Sequence, residues 1–117
     1  MRKLSTHVLD TAHGCPAAGM AFRLSRLSPG PVGLLSAGVT DADGRSGGPL
    51  LTGDDLIPGV YELEFAAGAY FRGRGVALPD PPFVDLVVLR FGIAAGDSGY
   101  HVPLLVSPWS WSSYRGS

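Results

Sequence analysis

Apolar residues recur along the chain mostly at every second position, in short runs closed by Gly, Pro, Asp or Ser. This is the pattern of half-buried strands. Met20-Ala21-Phe22-Arg23-Leu24-Ser25 alternates Met20, Phe22 and Leu24 with smaller or charged neighbours, and Ser28-Pro29-Gly30-Pro31 stops it. Val60 to Phe65 sets Tyr61, Leu63 and Phe65 on one face and Glu62 and Glu64 on the other. The longest candidate, Phe83 to Ile93, is apolar on both faces except at Asp85 and Arg90, which predicts a central strand or one covered by another subunit. With Ser5–Asp10, Leu34–Thr40, Tyr100–Ser107 and Trp109–Arg115, the pattern predicts an all-β sandwich of about seven or eight strands. One short helix of two turns at most is expected over Ala66–Arg74, where glycines weaken helical propensity.

Composition agrees with this reading and narrows the function. Seventeen glycines and ten prolines in 117 residues supply the turns that many short strands need. The length predicts one domain spanning residues 1–117; Pro79-Asp80-Pro81-Pro82 reads as a stiff loop, since too little chain flanks it for two cores. A net charge of -1 gives no electrostatic reason to expect nucleic acid or an anionic membrane as a partner. Cys15 is the single cysteine, which excludes an intrachain disulfide and fits a reducing compartment. The start of the sequence has no apolar stretch of signal-peptide length, so a cytoplasmic location is expected.

Three segments concentrate polar side chains that a sandwich does not need for folding. In Leu4-Ser5-Thr6-His7-Val8-Leu9-Asp10, alternation puts His7 on the face opposite Val8. Thr40-Asp41-Ala42-Asp43-Gly44-Arg45 is a turn in which Gly44 can supply positive φ and Arg45 offers a charge. The last segment, from Tyr100-His101 to Ser117, holds Trp109, Trp111 and Tyr114, which suit a terminal strand or an oligomer interface. Metal is not expected. The Asp41-x-Asp43-Gly44 run lacks the further oxygen ligands of a calcium loop, and His7, His13, His101 and Cys15 have no compact zinc spacing. The turn His13-Gly14-Cys15-Pro16 accounts for His13 and Cys15, Asp54-Asp55 reads as a solvated loop, and Arg72 and Arg74 read as exposed charges.

Taken in order, Leu4 to Ala17, Thr40-Asp41-x-Asp43-Gly44-Arg45, Tyr100-His101-Val102-Pro103-Leu104-Leu105 and Tyr114-Arg115-Gly116-Ser117 resemble the transthyretin-related hydroxyisourate hydrolases across essentially the whole chain. The early Ser-Thr-His-Val-Leu-Asp and the closing Tyr-Arg-Gly-Ser are the most specific pair, since the family's hormone-binding relative, transthyretin, lacks that ending. The resemblance implies a transthyretin-like β-sandwich assembled as a homotetramer, a dimer of dimers with active sites in the channel between dimers. It also implies hydrolysis of 5-hydroxyisourate to 2-oxo-4-hydroxy-4-carboxy-5-ureidoimidazoline in urate breakdown, with no metal or organic cofactor. His7, Arg45, His101 and Ser117 fall on the family's active-site positions, and Tyr114, Arg115 and Gly116 complete the substrate-binding terminal motif.

These residue types suit the opening of a cyclic amide. Imidazole, with a pKa of about 6.5, can take a proton from water and return it to the departing nitrogen. A guanidinium stays charged and presents forked donors to a carbonyl or oxyanion. His7 or His101 can be the base, Arg45 the oxyanion partner, and Ser117 a hydrogen-bonding anchor of the tail. The sequence departs from the family at Gly99, where many members have histidine, and at Trp109 and Trp111, where other aromatics are common. The alternative reading is a transthyretin-like tetramer that binds a small ligand without catalysis.

Overall fold

The fold is described from a computed structural model covering residues 2–96 and 98–116. The strands are β1 (Lys3–Asp10), β2 (Cys15–Pro16), β3 (Ala21–Ser28), β4 (Gly33–Val39), β5 (Leu51–Thr52), β6 (Gly59–Ala66), β7 (Leu86–Ile93), β8 (Tyr100–Val106) and β9 (Trp111–Ser113). A single turn of 3-10 helix covers Gly53–Asp55, and helix α1 covers Ala67–Gly73. One sheet runs β2-β1-β8-β9, with β5 also pairing with β1; the other runs β4-β3-β6-β7. This is the β-sandwich that the period-two pattern predicts, with two of its strands only two residues long.

The inward faces follow the alternation. Tyr61, Leu63 and Phe65 of β6 are fully buried against Leu24 of β3 and Leu4, Val8, Leu104 and Val106 of the opposite sheet. Burying a Leu or Phe in this way stabilises by about 1.5–3 kcal/mol each. Glu62 and Glu64 point outward, and Glu62 pairs with Arg90 across the β6–β7 ladder at 3.1 Å. Helix α1 follows β6 directly and buries Ala67, Tyr70 and Phe71, within one residue of the predicted Ala66–Arg74.

Two expectations need correction. The Phe83–Ile93 segment is not a central strand: β7 lies at the edge of its sheet and begins only at Leu86. The Asp85 carbonyl accepts from the N–H groups of Ala67 and Gly68 at the start of α1, which ties residues 83–85 to the helix and keeps them out of the ladder. Leu86 and Val88 remain 59% and 42% exposed, so the apolar outer side of this segment is not a buried face within the chain. The Trp109–Arg115 strand shortens to Trp111–Ser113, because Ser107 Oγ accepts from the N–H groups of Trp109 and Ser110 and folds residues 107–110 into a turn.

Candidate active site

On β1, Leu4, Thr6, Val8 and Asp10 point inward and are buried, which leaves Ser5 and His7 on the outer face of the sheet. Strand β8 runs parallel to β1, in a register that sets Ser5 opposite His101 and His7 opposite Pro103. Parallel pairing thus puts a histidine from each end of the chain on one face.

The turn after β4 delivers Arg45 to the same place. The Asp41 carboxylate accepts from the backbone N–H groups of Asp43 (2.9 Å) and Arg45 (3.0 Å), so it braces the turn. Gly44 has φ +76°, and a Cβ there would collide with the Val8 carbonyl oxygen; only glycine lets this turn lie against β1. The contact is closed by Val8 N–H donating to Gly44 O at 2.8 Å, and His7 forms a β-bridge with Arg45. His7 Nε2 lies 2.8 Å from Asp43 O. A carbonyl only accepts, so Nε2 carries the proton and Nδ1 is the open nitrogen of His7. The Arg45 side chain is exposed and has no hydrogen bond or ion pair among the described residues.

His101 is held from two sides. Ser5 Oγ lies 2.9 Å from Nδ1, and the carboxyl-terminal segment crosses the ring at Gly116, which bridges to His101 through a 2.6 Å hydrogen bond to its carbonyl. A Cβ at residue 116 would stand 3.2 Å from both Cβ and Cδ2 of His101, so the tail crosses close against the imidazole ring. Burial, and then the charges of Arg45, His7 and Lys3, hold His101 below the ordinary histidine value of 6.5. Beside it is a depression of about 280 Å³ lined by Lys3, Ser5, Gly99, His101 and Arg115 among others. Gly99 is explained here too: a Cβ would come within 2.8 Å of the Lys3 carbonyl oxygen.

Of the sequence-predicted residues, His7, Arg45 and His101 come together with Gly116. Arg115 donates to Gly99 O at 3.2 Å, and its guanidinium lies 4.3 Å from the centroid of the Tyr100 ring, which fixes the tail. Tyr114 is 62% exposed, and Ser117 lies outside the described residues. His13 and Cys15 sit at the far end of β1, with a buried carboxylate that the sequence reading passed over. Asp10 accepts from His13 Nδ1 (2.6 Å), His13 N (2.9 Å) and Tyr70 OH (2.8 Å). Arg74, read from sequence as a solvated charge, closes this cluster by donating to Tyr70 OH (3.2 Å) and to Cys15 Sγ (3.6 Å). Asp54 and Asp55 are exposed, as expected. Among the described residues, no group of three or more His, Cys, Asp or Glu side chains is placed to hold a metal ion, and no helix is long and apolar enough to cross a membrane.

A transthyretin-like sandwich carrying two histidines and an exposed arginine on the outer face of one sheet defines the class of this protein. The HIUase/transthyretin family model matches residues 4–116. The chain belongs to that family. It is 56% identical over 117 residues to the 5-hydroxyisourate hydrolase of Pseudomonas aeruginosa, covering 100% of this chain and 93% of that one. The crystal structure of an (S)-allantoin synthase matches with a TM-score of 0.93 and 52% identity over 98% of this chain, which spans 43% of that longer protein. Sea bream transthyretin, solved with thyroxine, has the same fold at a TM-score of 0.85 but only 30% identity, covering 97% of this chain and 94% of its own.

Proposed function

We propose that the protein hydrolyses 5-hydroxyisourate in urate degradation, with His101 as the base that activates water. The observation that carries this reading is the convergence of a histidine held below its usual pKa, a second histidine with Nδ1 open, and an arginine with no competing partner among the described residues. Water gives a proton to His101 Nε2 as its oxygen bonds to a ring carbonyl carbon. The resulting oxyanion forms against the Arg45 guanidinium. Its collapse breaks the C–N bond, and the imidazolium returns the proton to the departing nitrogen. His7 Nδ1 accepts a hydrogen bond from the water and orients it. Arg115 and the backbone of Gly116 position the substrate, with Tyr114 and Ser117 completing the terminal motif, and the reaction uses no metal or organic cofactor.

The active unit in this reading is a homotetramer, a dimer of dimers with the β1–β8 face turned into the channel. The open outer face supports it. So does the exposed Phe83–Trp109 pair beside edge strand β7, with rings 6.1 Å apart and exposures of 74% and 59%. A second copy packed against this edge would cover both rings.

The rate of decay of freshly generated 5-hydroxyisourate, measured against pH, tests the assignment of the base. The base must be neutral to accept a proton, and His101 is held below 6.5. With His7 replaced by asparagine, leaving His101 the one imidazole at the site, the remaining turnover is expected to persist below pH 6.5 and to fall as the pH drops through the lowered His101 value. A limb with its midpoint at or above 6.5 in that variant would contradict His101 as the base. The turn is tested by Gly44→Ala, which drives a Cβ into the Val8 carbonyl and displaces Arg45. A shift of about 1 Å in a catalytic group costs about 10²-fold in turnover. Unchanged turnover in that variant would mean the turn does not position the reaction.

A further inference from the structure

We propose that Ser5 is the positioning residue of His101: its hydroxyl accepts a hydrogen bond from the ring Nδ1–H and so reserves Nε2 for the proton of the reaction. The inference rests on His101 being the base of the proposed hydrolysis. Its geometric basis is the 2.9 Å contact between Ser5 Oγ and His101 Nδ1, between residues directly opposite in the β1–β8 register. Gly116 closes the Cβ and Cδ2 side of the ring, so a ring flip meets the tail as well as losing the hydroxyl.

The direction of the hydrogen bond follows from the proton cycle. A neutral imidazole carries its proton on one nitrogen and an imidazolium on both. Once Nε2 has taken the proton from water, Nδ1 can only donate. A hydroxyl that accepts from Nδ1–H keeps one geometry through both halves of the cycle, whereas a hydroxyl that donates to Nδ1 would have to reverse at every turnover. Serine also suits the charge balance. Around His101 stand Lys3 and His7 from β1, Arg45 from the turn, and Arg115 from the tail, all cationic or able to become so. A carboxylate against Nδ1 would draw the ring towards the imidazolium; an uncharged hydroxyl orients it and leaves it neutral.

The test compares Ser5→Ala and Ser5→Thr with the unmodified protein on freshly generated 5-hydroxyisourate, together with ¹⁵N NMR of the His101 ring without substrate. Ser5→Ala is expected to lower kcat about tenfold with KM within about twofold, the signature of a lost orientation rather than lost binding. Ser5→Thr, which keeps the hydroxyl, restores kcat to within about threefold. In the unmodified protein the spectrum should show the proton on Nδ1 with Nε2 bare, and in Ser5→Ala a mixture of the two tautomers. A proton found on Nε2, an unchanged kcat in Ser5→Ala, or an equal loss in both variants would overturn the proposal. If Ser5→Ala does not fold, the spectrum of the unmodified protein decides alone. The spectrum does not depend on turnover, so a protein that left 5-hydroxyisourate untouched would sink the proposed reaction while the Ser5–His101 contact was still read independently.

Discussion

Replacing Arg45 with alanine, or His101 with asparagine, is expected to lower turnover of 5-hydroxyisourate by about 10²-fold or more, the scale of losing an oxyanion donor or a proton-transfer group. The structure separates this effect from one on folding. Arg45 is exposed, and its side chain braces nothing among the described residues; the turn that carries it is held by the Asp41 carboxylate, Gly44 and the backbone of Val8. Removing the guanidinium leaves that turn intact and takes away the charge proposed to face the developing oxyanion, together with one of the charges that hold His101 below 6.5. Asparagine at 101 keeps a polar side chain near Ser5 but has no group that cycles a proton near neutral pH. The loss should fall on kcat in both variants, while assembly measured by light scattering and the circular dichroism of the fold stay unchanged. Near-normal kcat in either would remove that residue from the mechanism.

The second large effect is on stability, at the other end of β1. The Asp10 side chain is completely inaccessible to solvent and is met by Tyr70 OH, His13 Nδ1 and His13 N, with Arg74 Nη1 at 3.9 Å. It therefore ties β1 and the following turn to helix α1. Asp10→Ala leaves the buried Tyr70 hydroxyl without its acceptor, at about 1–3 kcal/mol for a buried group left unsatisfied, and removes the acceptor of the exposed His13, whose N–H water can reach. Denaturant melts should show a loss of about 1–3 kcal/mol, and a loss under about 0.5 kcal/mol would mean that the cluster is incidental. Burial pushes the Asp10 carboxyl up, but hydrogen bonds from Tyr70 and His13 and the charge of His13 outweigh it and hold it below 3.8. With a folded value below the unfolded one, the stabilisation is fully present above the unfolded value and is lost as pH falls through the folded one. Asp10→Asn should therefore flatten the dependence of stability on pH below 3.8, where the unmodified protein loses stability with acid. The same carboxylate, after burial, raises Tyr70 to about 12, so the hydroxyl stays a donor throughout this range.

The strands were legible because a half-buried sheet writes itself at period two: Tyr61, Leu63 and Phe65 against Glu62 and Glu64 can be satisfied only one way. The same rule put His7 on the outer face. Parallel pairing of β1 with β8 leaves no local trace, because two segments nearly a hundred residues apart carry no shared turn signal. Bringing His7, Arg45 and His101 together from sequence thus depended on the family resemblance, and Ser5 went unnoticed although it shares the parity of His7. Asp10 was legible in principle: it falls in line with inward-facing Leu4, Thr6 and Val8, and a carboxylate on that face must be hydrogen-bonded. The edge position of β7 was hidden because an apolar strand side reads alike whether a second sheet, a second copy or nothing covers it.

The central claim is tested most directly by following freshly generated 5-hydroxyisourate with and without the protein, with circular dichroism reporting the handedness of the product. The account predicts accelerated decay and a single enantiomer, because His101 and Arg45 sit on one face of a chiral site and deliver water to one side of the ring. Decay at the uncatalysed rate, giving racemic product in a correctly assembled protein, would contradict it and leave ligand binding in a transthyretin-like channel as the function to pursue.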